Sequence, residues 1–254
     1  MIKFFRPIRR NLMETGKTSK YLKYAIGEIL LVVVGILIAL QINNWNDQRK
    51  LKQQETTYYC KIQEDLNADI LNINESIASL KKRQDATRRL LTNLLKMQED
   101  KAVLFKDYLA SIRSQVFVPT KAAIEDITSS GKLENLRNQD LKSGILNYYV
   151  EQDYTLRIIE SNNQQIMEKV FAYMDYTDFG IQELPLYEHI YGDELQQLLK
   201  SKDWQKDPNS RLFRYFRDHM NMTLIITERE QDLLSQLKET ALGLSQKLES
   251  YCVN

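Results

Sequence analysis

YAIGEILLVVVGILIALQINNW, residues Tyr24–Trp45, holds an unbroken apolar run of 12 residues, Ile29–Leu40. A membrane-spanning helix needs about 20 mostly apolar residues. Tyr24–Ile26 and Gln41–Ile42 extend the run to that length, with Glu28 as the charged exception. Tyr21, Tyr24 and Trp45 suit the two interfaces, where amphipathic rings sit at headgroup level. The stretch predicts one transmembrane anchor over residues 24–45.

On its N-terminal side, residues 1–23 form a basic arm. Lys3, Arg6, Arg9, Arg10, Lys17, Lys20 and Lys23 stand against one acid, Glu14. That bias predicts a cytoplasmic N-terminus and an exported C-terminal bulk. A cleaved secretory signal is the competing reading, but the arm is long and no A-x-A-like site follows the run. Phe5, Ile8 and Leu12 recur at helical spacing beside the arginines, so the arm is expected to lie on the anionic inner leaflet. Within the anchor, Glu28, Gly35 and Ile42 fall one heptad apart, and Gly35 and Ala39 make a small-xxx-small pair. These four are candidates for a helix-packing face in the membrane.

Residues 46–254 suffice for one sizeable exported domain. The chain carries +1 overall and +6 in residues 1–24, which leaves −5 for the rest. No nucleic-acid partner is expected from that balance. Only 8 glycines and 4 prolines punctuate the chain, which favours long helices. Three apolar registers with alternating three- and four-residue steps agree. One runs Ile62, Leu66, Ile70, Ile73, Ile77, Leu80, Leu91, Leu94, with Gln84 and Thr87 as a weak middle. A second runs Leu141, Ile145, Tyr148, Leu156, Ile159, Ile166, Val170, Tyr173, and a third Leu212, Phe216, His219, Met222, Ile226, Leu233, Leu237, Leu244, Leu248. A broken element lies between the first two. Val103–Val116 reads as helix, Pro119-Thr120 stops it, and Lys121–Ser129 reads as a short helix closed by Ser130-Gly131. Asp207–Ser210 opens the last helix. The expected fold is all-α: an N-terminal transmembrane helix, then an elongated, coiled-coil-like antiparallel bundle of about four elements.

The first long helix is expected over about Cys60–Asp100 and the last over about Asn209–Cys252. If they are antiparallel, Cys60 and Cys252 meet. These are the chain's 2 cysteines, and an exported compartment permits a disulfide between them. Two free or intermolecularly paired thiols are the alternative.

No constellation points to an enzyme. Of the two histidines, His189 and His219, the second falls on a buried register and reads as a core histidine rather than a ligand. Ser129–Lys132 lacks the spacing of a phosphate loop, and neither G-x-S-x-G, H-E-x-x-H nor a zinc-type cysteine pattern occurs. No catalytic, cofactor-binding or metal site is therefore expected, and no cofactor. Phe171–Phe216 is the compositional anomaly, with ten of the chain's aromatics. A cap near 177–208 over the bundle's distal end accounts for it, by packing or by recognition. Tyr176, Phe179, Tyr187, Tyr191 and Trp204 are the partner-binding candidates there.

The N-terminal pattern Met1–Arg6, Lys23–Ile29 and Gly35–Asn46 resembles the opening of small single-pass proteins of Bacteroidota that carry a domain of unknown function. A second likeness covers Pro119-Thr120, Ala123–Ile127 and Ser129–Leu133. The resemblance implies an inner-membrane protein with an exported helical domain and supplies no activity. It marks Glu28, Gln41–Asn46, Thr120, Asp126 and Ser129–Gly131. Thr120 is suited to cap, Asp126 to bond a neighbouring turn, and Gly131 to take a positive φ.

The function these readings favour is a non-enzymatic, inner-membrane-anchored periplasmic scaffold or accessory subunit. Its partners would be the membrane and an envelope protein or a second copy. The alternative is an extracytoplasmic small-molecule sensor signalling through a partner. Gln152, Asn163, His219 and Glu230, polar in apolar registers, discriminate the two: a shared cavity favours the sensor, mutual pairing the scaffold.

Overall fold

A computed structural model describes residues 18–113, 115–173 and 176–252, without the side chains of residues 18, 20, 21, 24 and 176. Residues 1–17 of the basic arm lie outside the described residues. Six α-helices and no strand occur among those described: α1 Thr18–Lys96, α2 Lys101–Ser111, α3 Ala122–Ser129, α4 Gln139–Ala172, α5 Glu188–Leu198 and α6 Arg211–Cys252. The chain divides into two units at Thr56/Thr57.

The first unit is the N-terminal part of α1. Its apolar side chains are exposed: Ile29 is 63% exposed, Leu37 58% and Trp45 66%. This part of the helix is long and apolar enough to cross a membrane.

The second unit is a helical bundle with one broken leg. α1 ends earlier than the register suggests, at Lys96, because Met97 takes a left-handed φ of 54°. α2 then turns back, and Arg89 on α1 pairs with Asp107 on α2 at 2.9 Å. The helix expected to reach Val116 stops at Ser111. From Gln115 to Thr120 the chain is extended along α1. The Gln115 N–H donates to Ser79 Oγ at 2.8 Å, Asn72 Nδ2 donates to the Val118 carbonyl at 3.2 Å, and the Thr120 N–H donates to Asp69 Oδ1 at 2.7 Å. Phe117 is buried at 2% while Val116 and Val118 are 48% and 68% exposed. That alternation is the period-two signature of extended backbone, which suits β-branched residues ahead of Pro119.

α3 follows, and Gly131 at φ 68° turns the chain into a 3-10 turn, Lys132–Asn135. Asn138 Oδ1 accepts from the N–H groups of Asp140 and Leu141, both at 3.1 Å, and so caps α4. α4 runs parallel to α1, since Asp69 meets Tyr148 and Gln152 while Arg83 meets Asn163. α6 runs antiparallel to α1, with Asn67 against Ser245 and Arg83 against Glu230. Between α4 and α6 lies a cap of 3-10 turns and α5. It is tied to the start of α2, where Lys101 Nζ donates to Glu183 Oε2 at 2.8 Å and to Ser201 Oγ at 2.7 Å.

The buried apolar residues form two clusters. One gathers Tyr59, Ile62, Leu66, Ile73, Ile145, Tyr148, Leu237 and Leu248, with Phe117 and Ile127 from the broken leg. The other gathers Leu90, Leu94, Phe105, Tyr108, Tyr173, Phe179, Trp204, Phe213 and Phe216. The weak middle of the first register falls between them.

Candidate functional site

Between the two clusters sits a buried polar layer. Arg83 and Glu230 are 1% and 0% exposed, and Arg83 Nη2 lies 3.2 Å from Glu230 Oε2. Arg83 Nε donates to Thr227 Oγ1 at 2.8 Å and Nη1 donates to Asn163 Oδ1 at 3.4 Å. The Thr227 hydroxyl donates to the Thr223 carbonyl at 2.6 Å, and the Thr87 hydroxyl to the Arg83 carbonyl at 2.7 Å. Gln84 bonds Glu228 beside this layer. Burial lowers Arg83, against the pull of Glu230. Burial raises Glu230 above the ordinary carboxylate range, while Arg83 and Asn162 work in the other direction. The guanidinium on α1 reaches both α4 and α6, and sliding α6 by one turn would part the two buried charges.

A second polar group lies inside the first cluster. Asp69 is 0% exposed. It accepts from Tyr148 Oη at 2.7 Å, Gln152 Nε2 at 2.6 Å and the Thr120 N–H at 2.7 Å. Burial raises the Asp69 carboxyl against those donors. One turn earlier, Asp65 Oδ2 accepts from the Ala123 N–H at 2.7 Å and satisfies the start of α3. Thr120 therefore contributes its backbone N–H rather than a cap. Asp126 pairs with Lys61 of α1 at 3.0 Å rather than with a neighbouring turn. The two aspartates were missed in the sequence. Their signal was an acid pair four residues apart on the buried side of α1.

Of the four discriminating residues, Gln152 belongs to Asp69, and Asn163 and Glu230 to Arg83. His219 stands apart. It is 7% exposed, and neither ring nitrogen has a hydrogen-bond partner among the described residues. Desolvation, with Lys169 adding to it, lowers its pKa from 6.5 to about 4. It lines a cavity of about 330 Å³ between α4 and α6, with Ile166, Lys169, Ala172, Met222 and Ile226.

Cys60 and Cys252 are joined as a disulfide, with Cα atoms 5.4 Å apart. Phe179 and Trp204 are 3% and 6% exposed; Phe179 meets Phe216 edge-on and Trp204 stacks on it, with ring centroids 5.3 and 4.7 Å away. Their rings are core of the cap and present no surface to a partner. Tyr187 and Tyr191 are half-buried, and the side chain of Tyr176 lies outside what is described. The apolar surface of the cap is carried by other residues: Leu186, Ile190 and Leu198 are 67%, 63% and 75% exposed. α5 contains no buried residue. On the apolar part of α1, Gly35 and Ala39 are exposed, Ile42 is 61% exposed and Glu28 half-buried. A Cβ added at Gly35 would meet nothing within 4 Å. Among the described residues no group of three or more His, Cys, Asp or Glu is placed to hold a metal ion.

These features define an all-helical protein with one helix able to cross a membrane and a bundle registered by buried polar layers. The chain belongs to the family of unknown function DUF6090, which matches residues 28–175. That range takes in the apolar helix, the Asp65–Asp69 pair and the broken leg, and leaves α5 and α6 outside. No curated protein and no solved structure matches the chain.

Proposed function

We propose that this protein is a non-enzymatic scaffold or accessory subunit, anchored once in a bacterial inner membrane, whose periplasmic bundle docks an envelope protein. The basic arm and residues 24–45 supply the anchor and its orientation. Residues 46–254 are the periplasmic part. The likeness of the N-terminal pattern to single-pass proteins of Bacteroidota supports the same placement.

The observation that carries the docking reading is the surface of the cap. α5 buries no side chain and, with the turn before it, displays Leu186, Ile190 and Leu198. Exposed large apolar groups in one short segment mark an interaction surface. The bundle interior supports the same reading, because Gln152, Asn163 and Glu230 are engaged by protein partners instead of lining a common cavity. The test is mild-detergent isolation of the tagged full-length protein from its native membrane, with mass spectrometry of retained proteins. A stoichiometric partner that is lost in a Leu186→Glu/Ile190→Glu/Leu198→Glu variant supports docking through the cap. A partner lost only in Glu28→Ala moves the contact to the membrane helix. Recovery of the protein alone overturns a stable complex.

A further inference from the structure

The buried imidazole of His219 marks a place where the bundle is incomplete. A polar group removed from water without a hydrogen bond costs stability. Gln152, Asn163 and Glu230 each reach at least one protein group through a side-chain atom, whereas His219 has no hydrogen-bond partner at either ring nitrogen among the described residues. The cavity that His219 lines, about 330 Å³, is at the lower end of the size range of small-ligand pockets. Its walls are apolar: Ile166 and Ala172 on α4, Met222 and Ile226 on α6.

Charge narrows the ligand class. Desolvation keeps His219 neutral at neutral pH, so its ring offers one N–H donor and one acceptor. Lys169 also lines the cavity and is close enough to disfavour a second positive charge on His219. The one acid of the lining, Glu168, accepts from Gln164 Nε2 at 2.9 Å. A neutral hydrocarbon would leave the imidazole unsatisfied, and a cation would face Lys169. An apolar chain ending in a carboxylate satisfies the ring N–H and the lysine together.

We propose that the cleft between α4 and α6 binds a medium-chain carboxylic acid, its tail along Ile166, Ala172, Met222 and Ile226 and its carboxylate held by His219 and Lys169. The tail is removed from water against four apolar side chains, and the carboxylate accepts from the ring N–H while neutralising the lysine. This site is separate from the docking surface of the cap, and either can fail without the other.

The probe is decanoic acid bearing a photoreactive diazirine, photolysed with the full-length protein in mild detergent and mapped by peptide mass spectrometry. The expected result is labelling within residues 165–172 and 219–226 that excess decanoate suppresses. Labelling should fall about tenfold or more in Lys169→Gln, the scale of one lost charge-assisted hydrogen bond, and also in His219→Phe. Lys169 is exposed, so its variant keeps the fold even where His219→Phe does not. Labelling confined to residues 25–45 overturns the proposal as mere partition into apolar surface. So does equal labelling of Lys169→Gln and wild type, or equal competition by decanol. Suppression by lysophosphatidylglycerol but not by decanoate reassigns the group to a lipid phosphate and overturns the carboxylic acid.

Discussion

The Arg83–Glu230 pair gives the sharpest test of the bundle. Its atoms are 3.2 Å apart and both side chains are essentially without exposure. At an effective dielectric of about 20, that separation corresponds to roughly 5 kcal/mol of gross attraction. Desolvation of the two ions offsets most of it, so the net value of the pair is small and the cost of breaking it is large. Glu230→Leu strands a guanidinium that loses its carboxylate while its bonds to Thr227 and Asn163 remain. A loss of about 3 kcal/mol is expected, the low end of the range for an uncompensated buried charge. Arg83→Met strands the carboxylate and should cost about the same. The double variant Arg83→Met/Glu230→Leu replaces both ions by apolar groups of similar size and should lie within about 1 kcal/mol of wild type. Each single variant then lowers Tm by roughly 6–12 °C in a unit of this size, and the double variant by far less. Trp204, 6% exposed in the second cluster, reports the transition. Trp45, the chain's other tryptophan, is replaced by Phe so that its emission does not interfere. Melting curves of the four full-length proteins in one detergent close the cycle. A double variant as destabilised as the sum of the singles would refute the pairing and the register argument built on it.

Cys60→Ser/Cys252→Ser opens a loop that spans a sequence separation of 192 residues. On the chain-entropy account it costs up to about 5 kcal/mol, and wild type melted in reductant should match the variant. His219 has its pKa lowered from 6.5 to about 4, so below pH 6.5 the unfolded chain binds its proton more readily than the folded one. Stability should therefore fall by roughly 3 kcal/mol as pH drops from 6.5 to 4, and His219→Phe should flatten that slope in denaturant titrations. Asp69 has the opposite sign: burial raises its carboxyl, so its contribution is largest below the unfolded pKa and declines as pH rises through the folded one. Asp69→Asn places an amide among three donors and should cost about 2 kcal/mol, read from the same titrations. Trp204→Ala should cost about 3–5 kcal/mol as a core truncation, whereas Ile190→Glu should leave the unfolding free energy within about 0.5 kcal/mol of wild type.

The helical class was legible because apolar spacing and scarce glycine and proline act locally, before any contact forms. The last helix, expected from Asn209, begins at Arg211, since Asp207-Pro208-Asn209-Ser210 carries its own start signals and Ser210 Oγ accepts from the Phe213 N–H at 3.1 Å. Gly131 takes its left-handed φ for the same local reason. The return leg misled the reading. Val103–Val116 has helical composition, yet from Gln115 onward α1 offers Ser79, Asn72 and Asp69 as partners for extended backbone, and those contacts outcompete local propensity. The aromatic segment was visible as an anomaly. Which of its rings face inward was not, since Phe179 and Trp204 are buried by Phe216, from a helix that follows them in the chain.

The sequence by itself determined an apolar segment able to cross a membrane, a basic arm before it, and three helical registers whose polar interruptions were countable. Hydrophobicity and periodicity are properties of neighbouring residues, so they need no fold to be read. Only the tertiary structure decided what the interruptions do. Gln84, Thr87, Asn163 and Glu230 read alike along the chain as misplaced polar groups. In three dimensions Arg83 draws Asn163 and Glu230 into a paired layer, while His219 is left facing a cavity. Pairing depends on distances across helices separated by 80 to 144 residues, and no local pattern encodes those.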